Sequence, residues 1–307
     1  MTSFHCSDIS VCESFCIQQC DLKSFVFESR NMLRDKSKSY YNYLSLNNYE
    51  ETFALLTSCS KRSNTEARKN NFYQYGSTQG SAKYPKFRIS SLDKLPKGDK
   101  CYEPMLPRPV VCCRPQNLGW HLQKQKWLID LVRDIETYTL SYLQNNYKCI
   151  PHAKQLMNQL LKFKQDVDKN LLICNSIFNQ MIVIGELNKS TDMKLHIDKD
   201  DAIACILHLG KVSLGGSTNY YDGLKAGKNV PSCMNGKLVH SVPFEHGRLQ
   251  IGMYKDIVHG VDYWEGTRIT IDFNTKLSIL NHYSMFQTKY TNQFKDAGYP
   301  SGEFCAK

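Results

Sequence analysis

The chain has 307 residues, 41% of them hydrophobic and 22% charged, with Lys and Arg outnumbering Asp and Glu by 39 to 29. That length carries one sizeable core with extensions, the composition is that of a soluble globular protein, and no apolar run approaches the roughly 20 residues of a membrane helix. Thirteen cysteines, an odd number spread over a long chain, fit reduced thiols in a cytoplasmic or nuclear setting, and the opening Met1 to Cys20, with Asp8, Glu13 and no basic stretch, argues against a secretory leader.

The positive charge is uneven. Residues 1–115 hold 17 basic against 11 acidic side chains, 116–170 hold 8 against 5, and 171–307 hold 14 against 13. A basic region ahead of a near-neutral one attracts a polyanion such as nucleic acid or an acidic protein face, or serves solubility alone.

In chain order, Cys12, Cys16 and Cys20 recur every four residues and suggest one stripe of a helix. Without C-x-x-C pairs they read as small apolar packing residues and not as a zinc cluster. The polar stretch Ser60 to Ser81 reads as a loop or linker, and residues 83–115, with Pro85, Pro96, Pro104, Pro107, Pro109 and Pro115, as irregular backbone on a surface. The spacing of Trp127, Leu128, Leu131, Val132, Ile135, Tyr138 and Tyr142 predicts a helix, Pro151 a break, and Leu156, Leu160 and Phe163 a second helix ending near Asn170. Trp120 and Trp127 are expected in the core.

From Leu171 the pattern turns to short strands: 172–178, 180–185, 193–198, 202–209, 218–221, 237–242, 248–253, 257–261 and 268–274. In the third of these, a period of two puts Lys194, His196 and Asp198 on one face and Leu195 and Ile197 on the other. A His-x-Asp pair with one distant His forms a facial triad for a divalent metal such as non-haem Fe(II), leaving coordination positions open. His259 is the expected third ligand, because at strand distance it is followed by Arg268, Thr270 and Asp272 on one alternating face, with Ile269, Ile271 and Phe273 on the other. His246 is the weaker alternative; His240 lacks such a partner, and His208, alone in an apolar strand, reads as a core residue. Asp200 and Asp201 read as turn residues. A guanidinium and a hydroxyl facing inward beside a metal make a carboxylate clamp. Gly215-Gly216 marks a turn, and the segment Asp222 to Val242, with Lys225, Lys228 and Lys237, reads as a lid, a recognition loop or a plain surface insertion.

His196-x-Asp198, then His259, then Arg268 with Thr270 two beyond it, resembles the Fe(II)/2-oxoglutarate-dependent dioxygenase superfamily over roughly residues 171–285. The resemblance implies an α+β fold, with a double-stranded β-helix (jelly-roll) core and helices packed on one sheet. It also implies that His196, Asp198 and His259 ligate iron, that Arg268 with Thr270 anchors the distal carboxylate of 2-oxoglutarate, and that whichever of Tyr220 and Tyr221 faces inward bonds the carboxylate nearer the metal. The expected organisation is a basic, partly irregular accessory region (1–115), helical support (116–170), the catalytic core (171–285) and a tail (286–307). The implied reaction hydroxylates a C–H bond of a macromolecule, protein or nucleic acid, with release of succinate and CO2 and with ascorbate in support. The short His259 to Arg268 spacing resembles prolyl-hydroxylase-like members, whereas the basic N-terminal region points to nucleic acid, as in the TET and base-J-binding members. Two other readings stay open: a non-catalytic nucleic-acid-binding β-barrel, and a cupin-like protein with another metal.

Overall fold

The computed structural model describes residues 13–17, 25–57, 72–79, 107–110, 124–148, 152–167, 172–186, 191–198, 201–222, 237–277 and 280. In chain order these form β1 (Glu13–Ile17), β2 (Phe25–Asn31), α1 (Tyr41–Leu44), α2 (Tyr49–Thr57), β3 (Phe72–Gln79), β4 (Pro107–Val110), α3 (Lys126–Asn145), α4 (Ala153–Asp166), β5 (Gln180–Glu186), β6 (Thr191–His196), β7 (Asp201–Gly215), β8 (Thr218–Asp222), β9 (Lys237–Val242), β10 (Arg248–Gly252) and β11 (Val258–Lys276). Every strand pairing is antiparallel. The sheet order is β1-β2-β10-β7-β11-β5-β3-β4, with β6 and β8 also on β11 and β9 on β8.

The registers show that this sheet is curled. His196 on β6 lies opposite His259, and Asp201 on β7 lies opposite Lys276. Five residues separate His196 from Asp201 and span at most about 18 Å. The 17 residues from His259 to Lys276 would cover about 56 Å if straight. β11 must therefore bend back on itself, carrying its partners with it. The result is the α+β double-stranded β-helix arrangement, an antiparallel sheet wound into a partial barrel with helices outside. Glycines make the winding feasible: Gly215 and Gly216 have φ of 68° and 79° between β7 and β8, and Gly266 has φ of 110° on β11. L side chains avoid such backbone.

Alternation on the strands separates two interiors. Outside the barrel, Ile203, Cys205, Leu207 and Leu209 of β7 and Ile269, Ile271 and Phe273 of β11 join one core with Trp127, Leu131 and Ile135 of α3 and Leu160 and Phe163 of α4. Each such buried side chain contributes roughly 1.5–3 kcal/mol, so this layer holds the barrel wall rigid. Glu136, buried on α3, is satisfied by Lys164 on α4 at 2.8 and 2.9 Å and by the Ile177 N–H at 2.9 Å. Inside the barrel, Ala204, Tyr220, Val242, Tyr254 and Ile257 form a smaller cluster beside a group of buried polar side chains.

Several expectations change. Residues 172–178 are not a strand: Ile173–Asn175 is a 3-10 turn, with Cys174 and Asn175 at positive φ, and the apolar run is instead buried under α3. The strands expected at 257–261 and 268–274 are one strand, because pairing with β7 continues through Gly266 despite its register shift. Phe72–Gln79, expected within a linker, pairs with β5; its Phe-Tyr-x-Tyr start carries strand propensity that the surrounding polar residues conceal. Pro107–Val110 is an edge strand on β3, the place where a missing proline N–H costs least. Glu13–Ile17 is extended, so Cys16 does not sit on a helical stripe; Cys12 and Cys20 lie outside the described residues, as do Trp120, Asp200, most of the 222–242 loop and the 286–307 tail. Trp127 is buried in the core and stacks on Tyr43.

Candidate metal centre

The β6–β11–β8 register sets His259 between His196 on one side and Tyr220 on the other. Directly opposed residues in antiparallel strands share a face, and the ring centroids of His196 and Tyr220 lie 4.3 and 6.2 Å from that of His259. Asp198 follows the end of β6 in a turn whose backbone is tied down: its N–H donates to the Tyr254 carbonyl at 3.4 Å and its own carbonyl accepts from the Asp201 N–H at 3.0 Å. Tyr254 opens the 3-10 turn just before β11. One knot of backbone thus positions both the His-x-Asp pair and the distal His.

Nε2 of His259 lies 3.4 Å from Oδ2 of Asp198, and Nε2 of His196 lies 4.0 Å from Oδ1. One ligand atom from each of the three residues can be chosen so that all lie within 4.8 Å of one another. Donors each about 2.1 Å from a central ion stand roughly 3 Å apart, so closing on a cation needs only small side-chain movements. His259 Nδ1 donates to the Ile257 carbonyl at 3.1 Å, which aims Nε2 at the site and is the outer hydrogen bond typical of a metal-binding imidazole. Burial pushes the Asp198 carboxyl up, but the His259 hydrogen bond and charge, with His196 and Lys276 behind them, outweigh it and hold the group below the usual carboxylate range. An ionised carboxylate with two imidazoles fits a divalent ion of Fe(II) type. His259 is 5% exposed at its side chain, whereas His196 and Asp198 are 36% and 34% exposed. The centre is therefore sealed on one side and open on the other.

Arg268 lies on β11 opposite Gly210 and is 4% exposed. Among the described residues no carboxylate forms an ion pair with it, and its buried Nε has no hydrogen-bond partner. Nη2 donates to His208 Nδ1 at 3.3 Å and to Thr218 Oγ1 at 3.5 Å, and the guanidinium carbon stands 5.4 Å from the Trp264 ring centre. Burial pulls its pKa down to about 10. The buried Asp272 carboxyl attracts the guanidinium without an ion-pair contact among the described residues; a buried donor left without a partner is costly, and a bound anion would remove that cost. Thr270 is buried on the same face. Asp272 is there too, neither ion-paired among the described residues nor past the barrel rim; burial pushes its carboxyl up to about 7.

Of the two tyrosines, Tyr220 is fully buried against His259 and donates from Oη to Gln250 Oε1 at 3.2 Å. Tyr221 is half-buried. His246 is remote from the triad in function: Nδ1 accepts from the Gly210 N–H at 3.0 Å and Nε2 meets the Leu44 carbonyl at 2.8 Å, tying α1 to the sheet. Asp201 is buried and ion-paired to Lys276. Sequence reasoning passed over His208 and Gln250 because both sit alone in apolar strands, where only the fold shows which polar groups they meet.

No family model and no curated protein matches the chain. Among solved structures, it is similar to NgTET1 in complex with 5mC DNA, at 12% identity and a TM-score of 0.44, over 82% of this chain and 72% of that one. It is also similar to an oxidoreductase of the 2OG-Fe(II) oxygenase family from Burkholderia pseudomallei, at 13% identity and a TM-score of 0.23, over 41% of this chain and 58% of that one. Overlaps this partial carry no argument about chemistry, which rests on the side chains themselves. Among the described residues no helix is long and apolar enough to cross a membrane.

Proposed function

We propose that the chain is an Fe(II)- and 2-oxoglutarate-dependent dioxygenase that hydroxylates a C–H bond of a macromolecule, a protein side chain or a nucleic-acid base. The observation that carries this reading is the pairing of an open two-His, one-carboxylate cluster with a buried arginine whose Nε has no hydrogen-bond partner, in one barrel. His196, Asp198 and His259 would hold Fe(II), which with 2-oxoglutarate and O2 supplies oxidative decarboxylation to succinate and CO2 coupled to oxidation of the C–H bond.

The chain's own part is electrostatic and steric. Asp198 gives the cation a charge partner, and His259, fixed through Ile257, gives it an imidazole nitrogen. Arg268 offers a guanidinium suited to bidentate carboxylate binding, and Thr270 a hydroxyl on the same wall. Tyr220, pressed against His259, is the inward tyrosine for the carboxylate nearer the metal. The apolar packing of Val242, Tyr254 and Ile257 keeps water from the closed side. The exposed edges of His196 and Asp198 face the side from which a large substrate would approach.

The test is succinate formation by the purified chain with Fe(II), ascorbate and 2-oxoglutarate, with peptide and oligonucleotide libraries added in turn. Slow uncoupled succinate release that is lost in His196→Ala and Asp198→Ala supports the reading, and stimulation by one library assigns the substrate class. Equal release from wild type and both variants would end it. Metal binding with no 2-oxoglutarate dependence would favour the cupin-like alternative, and oligonucleotide binding without turnover the non-catalytic barrel.

A further inference from the structure

Arg268 is held by an unusual neighbour. His208 on β7 is directly opposite Thr270, two positions along the ladder from the Gly210–Arg268 pair, so its ring faces the barrel interior beside the guanidinium. A guanidinium has only donors. The 3.3 Å bond from Arg268 Nη2 to His208 Nδ1 therefore requires Nδ1 to be the bare nitrogen, with the ring proton on Nε2. Burial first, then the Arg268 charge, push the His208 pKa well below its ordinary value, in keeping with a neutral ring. Phe244 meets the ring edge-on at 6.3 Å and 82°, and its Nε2 is sealed from solvent near the Gln250 side chain, with no hydrogen-bond partner within bonding distance. Gly210, opposite Arg268, has its N–H anchored by His246.

We infer that His208 is the positioning residue of the carboxylate clamp, a fixed neutral acceptor that sets the rotation of the Arg268 guanidinium and leaves the Nε edge for the distal carboxylate of 2-oxoglutarate. The inference rests on the function proposed above. A carboxylate in this position would attract the guanidinium more strongly, but would neutralise the charge that recruits the ligand. An uncharged acceptor orients the cation and leaves its charge available. Thr218, at 3.5 Å, is the weaker second acceptor.

The experiment is anaerobic titration of the full chain, loaded with Mn(II), with 2-oxoglutarate, read by Trp264-dependent fluorescence and by calorimetry. His208→Asn places an amide oxygen where Nδ1 stands; His208→Leu removes the acceptor. The expected result is a loss of affinity of about tenfold to hundredfold in His208→Leu, the usual range for a lost hydrogen bond to a charged group. His208→Asn should stay within about threefold of wild type, and both should keep wild-type Mn(II) affinity. Wild-type affinity in His208→Leu, or an equal loss in both variants, overturns the inference while leaving the proposed function standing. A wild-type chain that binds Mn(II) but no 2-oxoglutarate overturns both. Nitrogen NMR of the wild-type imidazoles gives a reading independent of any variant: His208 should be neutral with the proton on Nε2, and the other tautomer or an imidazolium overturns the inference.

Discussion

His259 Nε2 faces Asp198 Oδ2 across 3.4 Å, although 61 residues separate the two in sequence. The approach is made by register: β11 lies against β6 so that His259 opposes His196, and the turn after β6 carries Asp198 into the gap. The metal centre is thus a property of strand pairing, and it is only as rigid as that ladder.

Asp198→Asn keeps the volume and removes the charge. Metal affinity should fall by more than the 10–100-fold typical of losing an outer hydrogen-bond partner, with little change in melting temperature because the side chain is about one-third exposed. Mn(II) titration followed by electron paramagnetic resonance checks this; unaltered affinity would remove Asp198 from the site.

Arg268→Met removes a buried cation that attracts the buried Asp272 carboxyl without an ion-pair contact among the described residues, and keeps much of its volume. Stability should change little, because relief from burying the guanidinium is offset by the lost attraction to Asp272, while 2-oxoglutarate affinity collapses. Urea unfolding alongside ligand titration measures both. A variant that is less stable and still binds the ligand contradicts the role given to Arg268.

Gly210→Ala should be among the most damaging single changes. Gly210 has φ of 128°, and an added Cβ would collide with the Thr267 carbonyl oxygen on the neighbouring strand. Strain at such a backbone conformation plus displacement of β11 should cost on the order of 2–4 kcal/mol. Circular dichroism melts of the variant would show it, and a wild-type melting temperature would mean that the strand spacing is looser than described.

Acid should loosen the fold through two histidines. Burial pushes both His208 and His246 below the ordinary value of 6.5, so each binds a proton more readily when unfolded. Their effect on stability is absent above pH 6.5, and stability declines as the pH falls below it, by up to about 1.4 kcal/mol per pH unit for each histidine. Asp272 works in the opposite sense: its carboxyl, pushed up to about 7, favours the fold at low pH, and that contribution is lost as the pH rises through 7. Between pH 5 and 6.5 unfolding free energies should therefore slope upward with pH less steeply in His246→Gln than in wild type. An unchanged slope would remove His246 from this account.

Much of the site was legible because its chemistry is carried by residues with strict local grammar. His196-x-Asp198 sits where a strand ends, and Arg268-x-Thr270 alternates against Ile269 and Ile271, so spacing alone placed each pair on a face. The single strand from Val258 to Lys276 was not legible, because the polar stretch 262–267 with Gly266 looks like a break and only the partner strands show that pairing runs through it. The strand at Phe72–Gln79 was hidden for a related reason: its partner β5 lies more than 100 residues away, and the polar residues around its aromatic start conceal its propensity. His208 shows the remaining limit. A histidine among Ile, Leu and Gly looks like a packing residue until the opposite strand brings a guanidinium to its ring.

The curl of β11 also has a consequence for biosynthesis. His196 and Asp198 leave the ribosome some sixty residues before His259, and the strand that joins them to it is the last of the sheet to be made. Until that strand closes along β5, β6, β7 and β8, the nascent chain offers a passing cation only two of its three anchors. The full candidate ligand set of His196, Asp198 and His259 therefore comes together only once that wall is complete.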